Sequence, residues 1–468
     1  MERHEGDVQV QGQEIIEERL EIAVILVQGS AARVQETTTN TTIVHLPMYM
    51  REANKGLFEP RVVAIGPYHH GHESTIDMEA HKERFFHGFF ERLGNSVNQQ
   101  DLTAECTNGA LQCYSGNVGR LYTTEKLMRD GCFIIELLLQ WKEGDGAHLD
   151  SHMRLMSNSI YYDLLLVENQ IPFMVLDKIF EKFRRHNSKH PIFKDTWLVN
   201  LIKFFNQDGQ FSWAYTNLSE EDLSNAKQVR HLLEIQYNLV IRKNNRNNNN
   251  EQKHDSIPCL CGNICRKVKP TPLGIPGANE LQDYGVKFHV KENHQQNTDM
   301  FDVTFSSKTM AIPRFKINFG SKILLANLFA YDQIVSQPAG NNNCVSVGPV
   351  TSYVVLMNAL INTKDDVVVL QREGILDNLL SNEEEVATFF NKLGRCALVD
   401  VSHHRYTAMF EDVNRYWRDG CCCKHFVTFR MKHCRNPWTC LSLMGAIVLL
   451  VLSFISMIYT ILQYYKRH

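Results

Sequence analysis

The sequence predicts a mainly α-helical chain with a small antiparallel β insert, an α+β class, closed by one C-terminal transmembrane helix. Three observations predict it. Apolar residues recur at 3.6-residue spacing through most of the chain, and three short runs between residues 286 and 319 alternate apolar with polar. The third is residues 441–462, which carry no charged side chain.

Composition sets the outer bounds. The chain has 468 residues, 49 Lys+Arg against 52 Asp+Glu and a formal charge of −3. With 44% hydrophobic and 22% charged residues it has globular values and enough apolar surface for a core. A balance so near neutral argues against a mostly disordered chain and against a nucleic-acid partner, which needs a basic face.

In chain order, residues 1–42 form a polar N-terminal extension with a candidate amphipathic helix at 14–28. Residues 43–242 are the helical first half of the body. Residues 76–93 read as a helix because Met78, Phe85, Phe86, Phe89 and Leu93 share one face. A second helix is expected at 123–141. A third, at 157–185, is apolar on nearly all sides and should break near Ile171, since Pro172 cannot continue it. A fourth is expected at 229–242. Residues 243–277 open on KNNRNNNN and read as a linker. Residues 278–436 form the second half. Its Val286/Phe288/Val290, Phe301/Val303/Phe305 and Phe315/Ile317/Phe319 runs suggest the antiparallel sheet. Helices resume from Ser321, one of them started by a capping box at Ser381–Glu384.

Residues 437–468 are read as the anchor and its tail. The 22 uncharged positions would reach roughly 33 Å as a helix, against a bilayer core of about 30 Å. Trp438, Tyr464, Tyr465 and Lys466 stand where interface anchors belong. No secretory signal opens the chain. Lys424, Arg430, Lys432 and Arg435 before the span outnumber Lys466 and Arg467 after it, which favours a cytosolic body in the plasma membrane or an endomembrane. Cys421, Cys422 and Cys423 are then candidates for palmitoylation, with unmodified thiols as the alternative. The sequons at Asn40 and Asn217 matter only for a luminal body.

Candidate chemistry is thin. His69, His70, His72 and His81, with Glu73 and Glu79 near, offer metal-ligand types without the H-E-x-x-H spacing that puts two ligands on one helical face. Hydrogen-bonding histidines around a Gly-Pro turn are the structural alternative. His254, Cys259, Cys261 and Cys265 offer four zinc donors at cramped spacing, or simply a linker with thiols. Glu168 interrupts the most apolar segment, where a desolvated carboxylate serves as a general base. Alternatively Glu168-Asn169-Gln170 satisfies backbone groups freed at the Pro172 break. Asp400, His403 and His404 are a fragment of a proton relay or surface residues. No nucleophile elbow, phosphate loop, dinucleotide fingerprint or kinase set occurs. No catalytic residue, cofactor or metal ligand is assigned.

Several motifs together resemble a plant family known as domain of unknown function 247. They are Val44-His45-Leu46-Pro47, Val62-Val63-Ala64-Ile65-Gly66-Pro67-Tyr68-His69-His70-Gly71 and Met78-Glu79-Ala80-His81-Lys82. Asp130-Gly131-Cys132-Phe133-Ile134-Ile135-Glu136, the run from Asp163 through Glu168-Asn169-Gln170 to Phe173, Asn279 to Phe288, Val350-Thr351-Ser352-Tyr353 and Asn436-Pro437-Trp438 complete the set. The resemblance implies a plant membrane protein with a C-terminal anchor and no established catalysis. Some grass members are tied to self-incompatibility loci. The expected function is therefore a non-enzymatic, membrane-anchored recognition or signalling protein with an unknown protein partner, a self-incompatibility determinant in its sharpest form. The alternatives are a membrane-tethered, hydrolase-like enzyme using Glu168 or the His69–His81 cluster, and a structural tether.

Overall fold

The structure is a computed structural model that describes residues 41–94, 97–144, 151–190, 192, 229–241, 274–291, 300–336, 347–397, 404–419 and 437–467. The chain divides into two compact units. The first takes residues 1–47, 59–205 and 223–235, and the second 48–58, 206–222 and 236–468. Helix α1 (Met48–Ala53) falls in the second. Helices α2 (Ile76–Leu93), α3 (Gln99–Thr107), α4 (Thr124–Gly144), α5 (Ser151–Asp163) and α6 (Phe173–His186) build the first.

Helix α2 has the bounds its periodicity predicts. Met78, Phe85, Phe86, Phe89 and Leu93 are buried, and Phe85 meets Phe133 of α4 with ring centroids 5.2 Å apart. At about 1.5–3 kcal/mol per large apolar side chain, this face contributes on the order of 10 kcal/mol before chain entropy is subtracted. Asp77 and Glu79 in its first turn and Arg92 in its last complement the helix dipole. Helices α4 and α6 approach closely at Gly131, where an added Cβ would lie 2.6 Å from Cδ1 of Ile179.

The segment expected at 157–185 breaks at Pro172 as its sequence predicts, but the helix before the break ends earlier than Ile171. Helix α5 ends at Asp163, residues 164–172 are a buried connector, and Pro172 is the N-cap of α6. The connector is nearly as apolar as a helix core, which is why periodicity ran through it. The fourth expected helix is α7 (Leu232–Val240), which begins in the first unit and ends in the second.

In the second unit α8 (Ala278–Asp283) leads into strands β1 (Lys287–Lys291), β2 (Thr304–Ser306) and β3 (Thr309–Pro313). Their order is β1-β3-β2; β1 pairs with β3 in parallel and β2 with β3 antiparallel. A separate pair, β4 (Phe315–Ile317) and β5 (Leu376–Asn378), is also parallel. The expected antiparallel sheet is therefore corrected to a mixed sheet plus a parallel pair. Alternation marks a strand with one buried face, but carries no information on the direction of its partner.

Helices α9 (Phe319–Val335), α10 (Pro349–Leu360), α11 (Lys364–Arg372), α12 (Glu383–Arg395) and α13 (Thr407–Asp419) complete this unit, with α9 against α10 and α12 against both α10 and α11. Asn318 and Ser321 form a capping box on α9. The helix start expected at Ser381 falls one residue later, with Asn382 as a simple N-cap whose Oδ1 accepts from Glu385 N at 2.8 Å.

The C-terminal helix is α14 (Pro437–Arg467). Among the described residues no helix is long and apolar enough to cross a membrane, which corrects the expected transmembrane helix. The side chains of Trp438, Tyr464, Tyr465 and Lys466 lie outside the described residues. So do Cys421, Cys422, Cys423, Cys259, Cys261, Cys265, His254, Asp400, His403, both sequon asparagines and the candidate helix at 14–28.

Candidate functional site

The signature motifs that fall in the first unit converge on one place. Residues 61–72 form no helix or strand, yet Val63, Ala64, Ile65 and Gly66 are buried. A buried backbone must find partners for its N–H and C=O groups. Here side chains from three other segments supply them, making a clasp over the loop.

Asp163, the last residue of α5, takes three successive amides. Its Oδ1 accepts from Arg61 N at 3.0 Å, and Oδ2 accepts from Val62 N at 2.7 Å and Val63 N at 2.9 Å. Asn169 in the connector accepts from Ile65 N at 2.7 Å. Its Nδ2 donates to Val63 O and Asp163 O, both at 2.9 Å. Asp130 on α4 accepts from Gly66 N at 2.9 Å and from the Tyr122 hydroxyl. Gly66 has φ +77°, and a Cβ there would lie 2.6 Å from Gln170 O, so the turn requires glycine.

Lys82 is the cation of the clasp. It is 1% exposed, and Nζ donates to Ala64 O at 2.5 Å, Glu79 Oε1 at 2.7 Å and Asp130 Oδ1 at 2.7 Å. Burial pushes the ammonium down, but Asp130 and Glu79 outweigh it and hold the pKa raised. Gln170 serves the connector itself. Its Nε2 donates to Leu164 O and Leu166 O, and Oε1 accepts from Leu233 N.

Glu168, the predicted general base, is 0% exposed. Its Oε1 accepts from Leu46 N at 2.6 Å and from Nδ1 of His45, and Nε2 of His69 lies 3.7 Å from Oε2. Residues 41–47 are held against the same region. Ile43 N donates to Cys113 O at 2.9 Å and His45 N to Ser115 Oγ at 3.0 Å, while the Tyr68 hydroxyl donates to Ile43 O at 2.9 Å.

The structure thus brings Glu168 and His69 together. His70 stands on the same loop, edge-on to the Tyr122 ring at 5.5 Å, with burial and then Lys126 lowering its pKa. His81 stands elsewhere on α2, stacked on His152 at 5.0 Å. The four histidines do not converge, and among the described residues no three His, Cys, Asp or Glu side chains are placed to hold a metal ion. Sequence reasoning missed His45, Lys82 and Asp130. Lys82 had a readable signal, since it falls on the Met78–Phe85–Phe89 stripe where an exposed lysine has no place.

Two buried groups of this unit titrate in opposite senses. Burial pushes Asp163 up to about 6 against the amides that lower it. Burial pushes His231 down to about 4. Asp163 binds its proton more tightly folded than unfolded, so its contribution to stability rises as pH falls from about 6 to about 4. His231 binds more weakly folded, so its contribution is lost as pH falls from about 6.5 to about 4. Each amounts to about 3 kcal/mol at about 1.4 kcal/mol per pK unit, and the two nearly cancel. Relative to the unsubstituted chain, Asp163→Asn is expected to lose about 3 kcal/mol more on acidification from pH 6.5 to 4, and His231→Gln to gain about as much. Urea denaturation across that range reads both; parallel curves for all three chains would contradict the assignment.

The first unit is thus a helical body whose signature residues clasp an irregular loop, a class defined by its buried polar contacts. The chain belongs to the DUF247 family, described as plant protein of unknown function, whose model matches residues 43–452. It is similar to the UPF0481 protein At3g47200 of Arabidopsis thaliana, 24% identical over 452 residues covering 90% of this chain and 86% of the relative. It is also similar to the putative UPF0481 protein At3g02645 of the same plant, 23% identical over 458 residues, 80% of this chain and 82% of the relative. No solved structure matches.

Proposed function

We propose that the chain is a recognition or signalling protein that works through a protein partner, and not an enzyme acting through Glu168. One observation supports this most. A catalytic carboxylate must touch its substrate, and Glu168 is sealed from solvent with Oε1 taken by the Leu46 amide and His45. Asp163 and Asn169 are likewise committed to backbone groups. The polar residues of the motifs therefore hold the buried part of the loop and set the course of residues 67–72, which reach the surface as a recognition loop must.

The self-incompatibility form of this reading rests on the family resemblance. Affinity capture from plant reproductive tissue with the full chain as bait is expected to enrich one partner. Asn169→Ala, which releases the loop, is expected to lose that partner, whereas a surface change on another face is not. Capture that survives release of the loop would contradict this reading. Unchanged pollen compatibility after disruption of the gene would exclude the incompatibility form alone.

A further inference from the structure

His45 is held in an unusual way. Its side chain is 46% exposed, yet its Nδ1 bonds a carboxylate that is 0% exposed. The backbone is fixed on both sides of the ring, by His45 N on Ser115 Oγ and Leu46 N on Glu168 Oε1, and the Tyr68 ring lies 4.9 Å away. Because Oε1 already accepts the Leu46 amide, the proton of the histidine contact sits on Nδ1. That leaves Nε2 with its lone pair, on a ring that reaches solvent.

Other described histidines with polar partners lack this combination. His87 pairs with Glu83, but both are exposed, so neither fixes the other. His190 uses Nε2 toward Glu143 and is nearly covered. His72 turns Nδ1 to Ser74 Oγ in a helix cap. Burying a carboxylate costs several kcal/mol, and here the cost supports the orientation of one surface imidazole.

We propose that His45 is a phosphoryl-acceptor site, with Nε2 as nucleophile and Glu168 as its positioning residue; this deepens the signalling reading and rests on it. The Nε2 lone pair attacks phosphorus, and the N–P bond forms as the bond to the leaving group breaks. The leaving group departs with that bonding pair. The Nδ1 proton stays, donated to Glu168, whose charge balances the charge the ring acquires. A metal ion does not fit the same atoms, because His45 and His69 meet opposite oxygens of Glu168. A half-exposed ring also favours phosphoryl over acyl transfer, since acyl-imidazoles are hydrolysed quickly in water. The sequence has neither a phosphate loop nor a kinase signature set, so the donor is a nucleoside triphosphate presented by a separate kinase.

The test uses the full chain and phosphoramidate, a small phosphoryl donor that needs no kinase, with sites and rates read by mass spectrometry under alkaline conditions. His45 is expected to be phosphorylated about tenfold faster than the exposed His72 and His87 of the same molecule, and Glu168→Gln to remove about that factor at His45 alone. His45→Gln is expected to abolish the fast phase and leave the slow ones. Equal rates at His45, His72 and His87 in the unsubstituted chain would overturn the proposal, whether or not the Glu168 variant folds. So would a Glu168→Gln chain that folds and labels His45 at the full rate. Partner capture is read separately, so a failure here leaves the recognition reading standing.

Discussion

Replacing Lys82 by methionine is expected to destabilise the first unit by about 3–5 kcal/mol, because it leaves a buried carboxylate without its cation. Methionine keeps the length and apolar stem of the side chain, so the loss is not one of packing. It removes three donated hydrogen bonds, to Ala64 O, Glu79 and Asp130. Asp130 would keep only the Gly66 amide and the Tyr122 hydroxyl. Adding Asp130→Asn to the same chain is expected to recover part of the loss, since a neutral amide needs no counter-charge. Urea denaturation followed by circular dichroism measures both. A Lys82→Met chain within about 1 kcal/mol of the parent would mean that the lysine is a surface residue.

Asn169→Ala is expected to cost a similar amount, about 3–5 kcal/mol, by a different route. The amide serves three buried backbone groups at once, accepting from Ile65 N and donating to Val63 O and Asp163 O. Each group left unsatisfied in the interior costs about 1–3 kcal/mol. Asn169→Asp separates this account from a simple cavity. It keeps an acceptor for Ile65 N but turns a carboxylate toward two carbonyl oxygens, so it is expected to be no more stable than the alanine variant. A stable aspartate variant would show that the amide is not donating.

The sequence reading succeeded where one face of an element is apolar and the other wet. Helix α2 is the clearest case, since Met78, Phe85, Phe86, Phe89 and Leu93 are both its pattern and its buried face. It failed where burial is complete. Residues 164–171 read as helix because Leu164-Leu165-Leu166-Val167 continue the apolar run, whereas Asn169 and Gln170 in fact satisfy a non-helical backbone. The expectation that Glu168-Asn169-Gln170 serves backbone groups at the Pro172 break holds for Asn169 and Gln170, whereas Glu168 takes the distant Leu46 amide and His45. Pairing over long distances was not legible either. β4 is legible from its Phe315/Ile317 alternation, but its partner β5 has one buried apolar residue, Leu376, and nothing local marks the two as a pair. His45 gave no signal at all, because only the fold places it against Glu168, 123 positions away.

The most direct measurement is amide hydrogen exchange over residues 61–66. This stretch has no helix or strand of its own, so ordinary loop amides there would exchange at the rate of open chain. Val62, Val63, Ile65 and Gly66 instead each donate to a side-chain acceptor, the last three in the interior. Their protection is expected to equal that of the α4 amides and to fall in Asn169→Ala at Ile65 first. Rapid exchange of these four amides in the unsubstituted chain would contradict the clasp, and with it the reading of the motif residues as the frame of a recognition loop.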